Sequence, residues 1–239
     1  NFAHYEPEEG SKNLVIWLHG IGEGGTDHTD ARVPLLANKA DVLKRDEFQE
    51  TVGKANILVP QCPTFWMDNT GEGKNLNHGR IEADGTSFYL ESLMELIQDY
   101  RKKTGSEKIV VAGCSNGGYI TVLLAMKYPD EFTGYVPVCE AMPDKYITDK
   151  DVSTLMKEKL YFVYSKDDET VIPSLHEEPL LARMKGAKNV HVSTTEHVTD
   201  MTGNYFAPGT SQPYQYNGHW SWIRFFNNEC DSDGLKAWD

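Results

Sequence analysis

Lys108-Ile109-Val110-Val111-Ala112-Gly113-Cys114-Ser115-Asn116-Gly117-Gly118-Tyr119-Ile120-Thr121-Val122-Leu123-Leu124-Ala125-Met126 decides how the rest of the chain is read. A β-branched apolar run enters, a Gly-x-Ser-x-Gly interrupts, and a helix-forming run leaves. A strand that turns straight into a helix has no room for side chains at its corner, and Gly113 and Gly117 stand there. Strain in such a corner lifts the serine hydroxyl clear of the sheet, and the free N–H groups of the new helix point at the same spot. Ser115 is therefore the candidate nucleophile. The competing reading is an ordinary strand–turn–helix in which Ser115 only caps the helix.

Upstream, Asn13–Leu18 is a short apolar run without alternation, as a buried parallel strand requires. It opens into His19-Gly20-Ile21-Gly22-Glu23-Gly24-Gly25. A glycine-rich loop at the carboxyl edge of a parallel sheet brings backbone N–H groups to the place where such sheets bind ligands. An N–H of Ile21 or Gly22, with that of Asn116, would form an oxyanion hole. A plain turn or a phosphate loop competes, but the Gly-Lys-Ser/Thr ending of a phosphate loop is absent.

The remaining pattern alternates strand and helix. Strands are expected at 57–59, 132–138, 160–164 and 190–194, and helices at 31–43, 88–100, 148–157 and 173–185, with a short one opening at Gly218. This predicts one α/β domain over residues 1–239, a mostly parallel central sheet with helices on both faces. Long loops leave the strand ends. In the first, Phe65, Trp66 and Met67 are candidates to wall a pocket, with Trp66 taken as substrate-binding, and Glu140 reaches the same edge after the strand ending at Val138.

A serine hydroxyl needs a base, and the base needs a carboxylate that fixes its tautomer. Asp167, Asp168 and Glu169 all follow the strand ending at Tyr164, and spacing does not separate them. His176 falls in an expected helix and His191 in a strand. His219, beside Gly218, is favoured as the base, with His197 as its rival.

Composition narrows the partners. The chain of 239 residues carries 36 acidic and 23 basic side chains, a net charge of −13 with the basic residues scattered, which disfavours nucleic acid and anionic membranes. No apolar run approaches a membrane span. Cys62, Cys114, Cys139 and Cys230 lack metal-ligand spacing, and Cys62 and Cys230 are candidates for pairing. No metal or cofactor is expected.

Leu18–Asp27, Pro60–Trp66, Gly113–Tyr119, Asp168–Pro173 and Gly218-His219-Trp220-Ser221-Trp222 together resemble the α/β-hydrolase superfamily. More narrowly, they resemble bacterial esterases of the polyhydroxybutyrate-depolymerase-like and prolyl-oligopeptidase-family type. The resemblance implies Ser115, Asp168 and His219 as the catalytic triad, because the acid precedes a Val-x-Pro turn and the base sits in the tryptophan-bracketed stretch. It also implies ester hydrolysis through an acyl-enzyme. The expected substrates are small acyl or aryl esters, including feruloyl or acetyl groups on plant polysaccharide, with a peptidase, an acyltransferase or a non-catalytic binding protein as alternatives. A secreted bacterial protein is expected. Members commonly carry two or more strands before the His-Gly loop, so the expectation is either a reduced sheet or strands, with a β-rich domain, in a removed upstream segment.

Overall fold

The central strands are apolar at consecutive positions because both of their faces are covered. The computed structural model describes residues 1–25, 30–77 and 80–239. Thr26 and Asp27 of the glycine-rich stretch lie outside the described residues. The chain runs through β1 (Phe2–Tyr5), β2 (Asn13–Leu18), α1 (Arg32–Ala37), α2 (Asp46–Thr51) and β3 (Asn56–Pro60). A small hairpin, β4 (Leu76–Asn77) and β5 (Arg80–Ile81), precedes α3 (Leu90–Thr104). Then come β6 (Lys108–Cys114), α4 (Asn116–Lys127), β7 (Gly134–Val138), α5 (Asp149–Leu155), β8 (Leu160–Ser165), α6 (Glu177–Arg183) and β9 (Val190–Thr195). The chain closes with α7 (Trp222–Phe226) and the hairpin β10 (Asp231–Ser232) and β11 (Leu235–Lys236).

Seven strands form the main sheet in the order β1-β3-β2-β6-β7-β8-β9, with β1 antiparallel to β3 and every other pairing parallel. Leu14, Ile16 and Leu18 of β2 enter one core, with Leu160 and Phe162 of β8 and the inner faces of α3, α4 and α5. Val15, Trp17, Tyr161 and Val163 enter the other, against Phe48 of α2 and Phe225 and Phe226 of α7. The expected mostly parallel sheet with helices on both faces is the observed one.

Register brings the functional loops together. Leu18 pairs with Gly113, Cys114 with Val138, Val138 with Val163, and Ser165 with Thr195. The loops after β2, β6, β7, β8 and β9 therefore leave from one edge.

Several expectations are corrected. The helix expected over 31–43 is α1 followed by a 3₁₀ turn at Ala40–Lys44, separated by Lys39 at φ 57°. The helix expected over 173–185 breaks at His176. Phe88, expected on a buried helical face, precedes α3 and is exposed. All four cysteines are free, and Cys62 and Cys230 lie in the two different cores, on opposite faces of the sheet. Among the described residues no helix is long and apolar enough to cross a membrane.

Candidate active site

Ser115 sits between β6 and α4 at φ 55° and ψ −114°, a backbone conformation that costs about 1–3 kcal/mol for a residue with a Cβ. Its N–H donates to the Val138 carbonyl at 2.9 Å, which ties the corner to the neighbouring strand. The glycines around it serve close approach. A Cβ on Gly117 would overlap the Leu18 carbonyl, one on Gly113 would lie 2.6 Å from the Gly117 carbonyl oxygen, and one on Gly118 would lie 2.7 Å from the Glu140 Cα. The strain is thus carried by the serine, and the glycines let three chains meet around it.

Asp168 and His219 meet at the same edge. The His219 Nδ1 lies 2.7 Å from Asp168 Oδ2, and the side chains are 11% and 1% exposed. The other oxygen, Oδ1, accepts the N–H groups of Thr170 at 2.8 Å and Val171 at 2.9 Å. A carboxylate held this way can only accept, so Nδ1 carries the proton and Nε2 keeps its lone pair. The Asn217 side chain accepts the His219 N–H at 2.9 Å and starts the turn that presents the ring. Gly218 is required because a Cβ there would strike Asp167.

The rival acid and the rival base are bonded to each other. The His197 Nδ1 lies 2.7 Å from Asp167 Oδ2, with side chains 55% and 28% exposed. This pair faces solvent, and Asp167 is held below the usual carboxylate range: burial works against this, and bonds from Ser165 and His197 outweigh it.

The glycine-rich loop lies against Ser115. A Cβ on Gly20 would be 3.9 Å from the Ser115 Cβ and from the Cys114 sulfur. Ile21–Glu23 form a 3₁₀ turn, and Asn116 opens α4, so both candidate oxyanion donors stand where N–H groups lack intrahelical acceptors. His19 fixes the loop. Its Nε2 accepts the Cys62 N–H at 2.9 Å and its Nδ1 donates to the Gly20 carbonyl at 2.5 Å. Burial pulls its pKa down to about 4, only partly offset by that carbonyl, so the ring is neutral and structural. Glu23, which sequence reasoning missed, lies over Gly20, and burial raises its carboxyl against bonds from the Gly20 and Glu23 N–H groups and the nearby His219.

Two residues expected at the substrate are buried. Trp66 is buried with its ring centre 5.2 Å from that of His19, and Glu140 is fully buried under Gly118 with Oε2 accepting the Met142 N–H at 2.5 Å. Neither offers a face to a ligand. The Asn116 side chain accepts the Trp66 N–H at 2.5 Å and joins the serine corner to the loop after β3. Cys139, Asp168 and His219 bring donor atoms within 4.8 Å of one another. Both Asp168 oxygens are already engaged, and burial holds the Cys139 thiol protonated, so this cluster is a poor metal cage.

A family model, Hydrolase_4, serine aminopeptidase S33, matches residues 59–192. The chain belongs to this family. It has the α/β-hydrolase fold. Among solved structures it is similar to a thermostable esterase, at 20% identity and TM-score 0.71 over 95% of this chain and 56% of that one. It is also similar to a ferulic acid esterase, at 14% identity and TM-score 0.60 over 82% and 83% of the two chains. A Pyrococcus horikoshii acylaminoacyl peptidase aligns at 12% identity and TM-score 0.54 over 97% of this chain and 40% of the peptidase. At these identities the likeness is one of fold, and the chain spans little more than half of the thermostable esterase. No match was found among curated proteins.

Proposed function

We propose that the protein hydrolyses carboxylic esters through an acyl-enzyme. The observation that supports this best is the buried Asp168–His219 pair, set at the edge where Ser115 is lifted from the sheet. Ser115 attacks the ester carbonyl while His219 Nε2 takes its proton, and Asp168 orients the ring and stabilises the imidazolium. The N–H groups of Asn116 and of Ile21 or Gly22 bind the oxyanion, each worth about 3 kcal/mol of barrier. His219 then protonates the departing alcohol and activates the water that releases the acid. Small acyl or aryl esters are the proposed substrates, including feruloyl and acetyl groups on plant polysaccharide; a similar fold described as a ferulic acid esterase supports the aryl choice.

The family description favours peptides as a second reading. Turnover of p-nitrophenyl acetate, with labelling of Ser115 by a fluorophosphonate, tests the first, and an aminoacyl p-nitroanilide tests the second. Faster turnover of the anilide, or full esterase activity in Ser115→Ala, would overturn the ester proposal.

A further inference from the structure

The loop between β9 and Gly218 is not absorbed by the chemistry above. It folds on itself as an ordered finger: the Tyr216 N–H donates to the Val198 carbonyl at 2.7 Å, and those of Asp200 and Ala207 donate to Tyr214 and Gln212 carbonyls at 2.8 Å. The Asp200 carboxylate accepts from the Thr202 hydroxyl and the Asn204 and Tyr205 N–H groups at its root. This bracing holds Tyr205, Phe206 and Tyr214 outward, and with Trp220 they are each between 41% and 57% exposed. Such rings gain from burial, and a rigid row of them left in water marks a recognition surface.

The four rings line one cavity of about 1060 Å³, which Asn38 and Lys39 from the α1–α2 segment also line. Glu23 and Trp220 also line it, so it is continuous with the oxyanion loop and with the residue after His219. Its volume stands at the top of the range for a whole small-molecule site, about 300–1,000 Å³, and is oversized for a short acyl group. One aromatic acid would need one slot. Several exposed rings lining one cavity, with the Lys39 ammonium among the lining groups, match a ligand with flat C–H faces and hydroxyls at its rim.

We propose that this cleft binds the oligosaccharide on the alcohol side of the ester, stacking successive sugar rings on Trp220, Tyr214 and Tyr205. The proposal rests on the esterase reading for its place in the reaction, but the binding can be read without turnover. The Ser115→Ala protein is titrated calorimetrically with xylohexaose and cellohexaose, which carry no ester, and with an unmodified octapeptide. Saturable binding of at least one hexaose is expected, weakened about tenfold by Tyr205→Ala or Tyr214→Ala, about 1.4 kcal/mol each. In the enzyme with Ser115 intact, the same substitutions should raise KM for a feruloylated xylo-oligosaccharide about tenfold more than KM for p-nitrophenyl acetate. Absence of hexaose binding, tighter binding of the peptide, or equal KM changes on both esters overturns the cleft assignment. Hydrolysis of p-nitrophenyl acetate by the unsubstituted protein reports separately on the esterase reading.

Discussion

Two histidine–carboxylate pairs of equal length, 2.7 Å, stand on adjacent aspartates and differ in their surroundings. An exposed pair such as His197–Asp167 is screened by water and is worth about 0–1 kcal/mol. The nearly buried His219–Asp168 pair fixes a tautomer, and that ordering is what a general base needs. His219→Ala should therefore lower kcat on p-nitrophenyl acetate by about 10⁴-fold or more, and Asp168→Asn by about 10⁴-fold, by analogy with other triads. His197→Ala should hold kcat within about twofold, because its ring never enters the site. Steady-state kinetics on the three variants, with circular dichroism as a folding control, checks this. Ser115, Asp168 and His219 were all named from the sequence. Asp168 and Asp167 are neighbours of the same chemistry, so only the resemblance separated them; in the fold Asp168 is bonded to His219 and Asp167 to His197.

The strands β2, β3, β6, β7 and β8 were legible because burial on both faces leaves an apolar run, and β9, on the edge and only partly buried, was named from its Val-x-Val start. β1 was not: its four residues, Phe-Ala-His-Tyr, lie on an edge with only one neighbour and no such run. The hairpin β4–β5 was equally illegible, because two-residue strands carry no period. The loop they belong to is organised by a residue that no pattern marks. Asp68 is buried and accepts from the Thr64 and Thr70 hydroxyls and from the Thr70, Gly71 and Gly73 N–H groups. Burial alone would raise its carboxyl, and these bonds instead hold it below the usual range. Asp68→Ala leaves their donors unpaired, each costing about 1–3 kcal/mol where water cannot reach. The expected outcome is a Tm lowered by several degrees and faster amide hydrogen exchange at 64–73, while the Asp168–His219 pair stays intact. A companion effect belongs to Asn116. Removing its side chain in Asn116→Ala frees Trp66 from the serine corner. Since the proposed oxyanion donor is a backbone N–H, kcat should fall well short of the loss in Ser115→Ala.

Across the whole molecule, buried titratable groups pull stability in opposite directions with pH. His19 has a depressed pKa, so its contribution is complete above the ordinary imidazole value of about 6.5 and is lost as pH falls toward 4. Glu140 is the reverse case. Burial, against the Met142 N–H and with Asp144 adding to the rise, pushes its pKa from 4.5 up to about 8. Glu177 is raised too, by burial first and by Glu140 next. The Glu140 contribution is complete below about 4.5 and is lost as pH rises toward 8, and that of Glu177 is lost in the same direction. Between about 4.5 and 6.5 the losses from His19 and Glu140 offset each other. Above 6.5 His19 no longer changes, and the buried acids lower stability in the same direction as the repulsion within a chain of net charge −13. Stability should therefore decline from pH 6.5 to 8 by about 1.4 kcal/mol per unit for each proton released, or about 2 kcal/mol for one carboxyl. Urea unfolding at the two pH values measures it. The double variant Glu140→Gln, Glu177→Gln removes two of these titrating groups while keeping amides of the same shape, and its unfolding free energy should decline clearly less over that interval. A slope equal to that of the unsubstituted protein would show that the net charge, and not these two carboxyls, governs the decline.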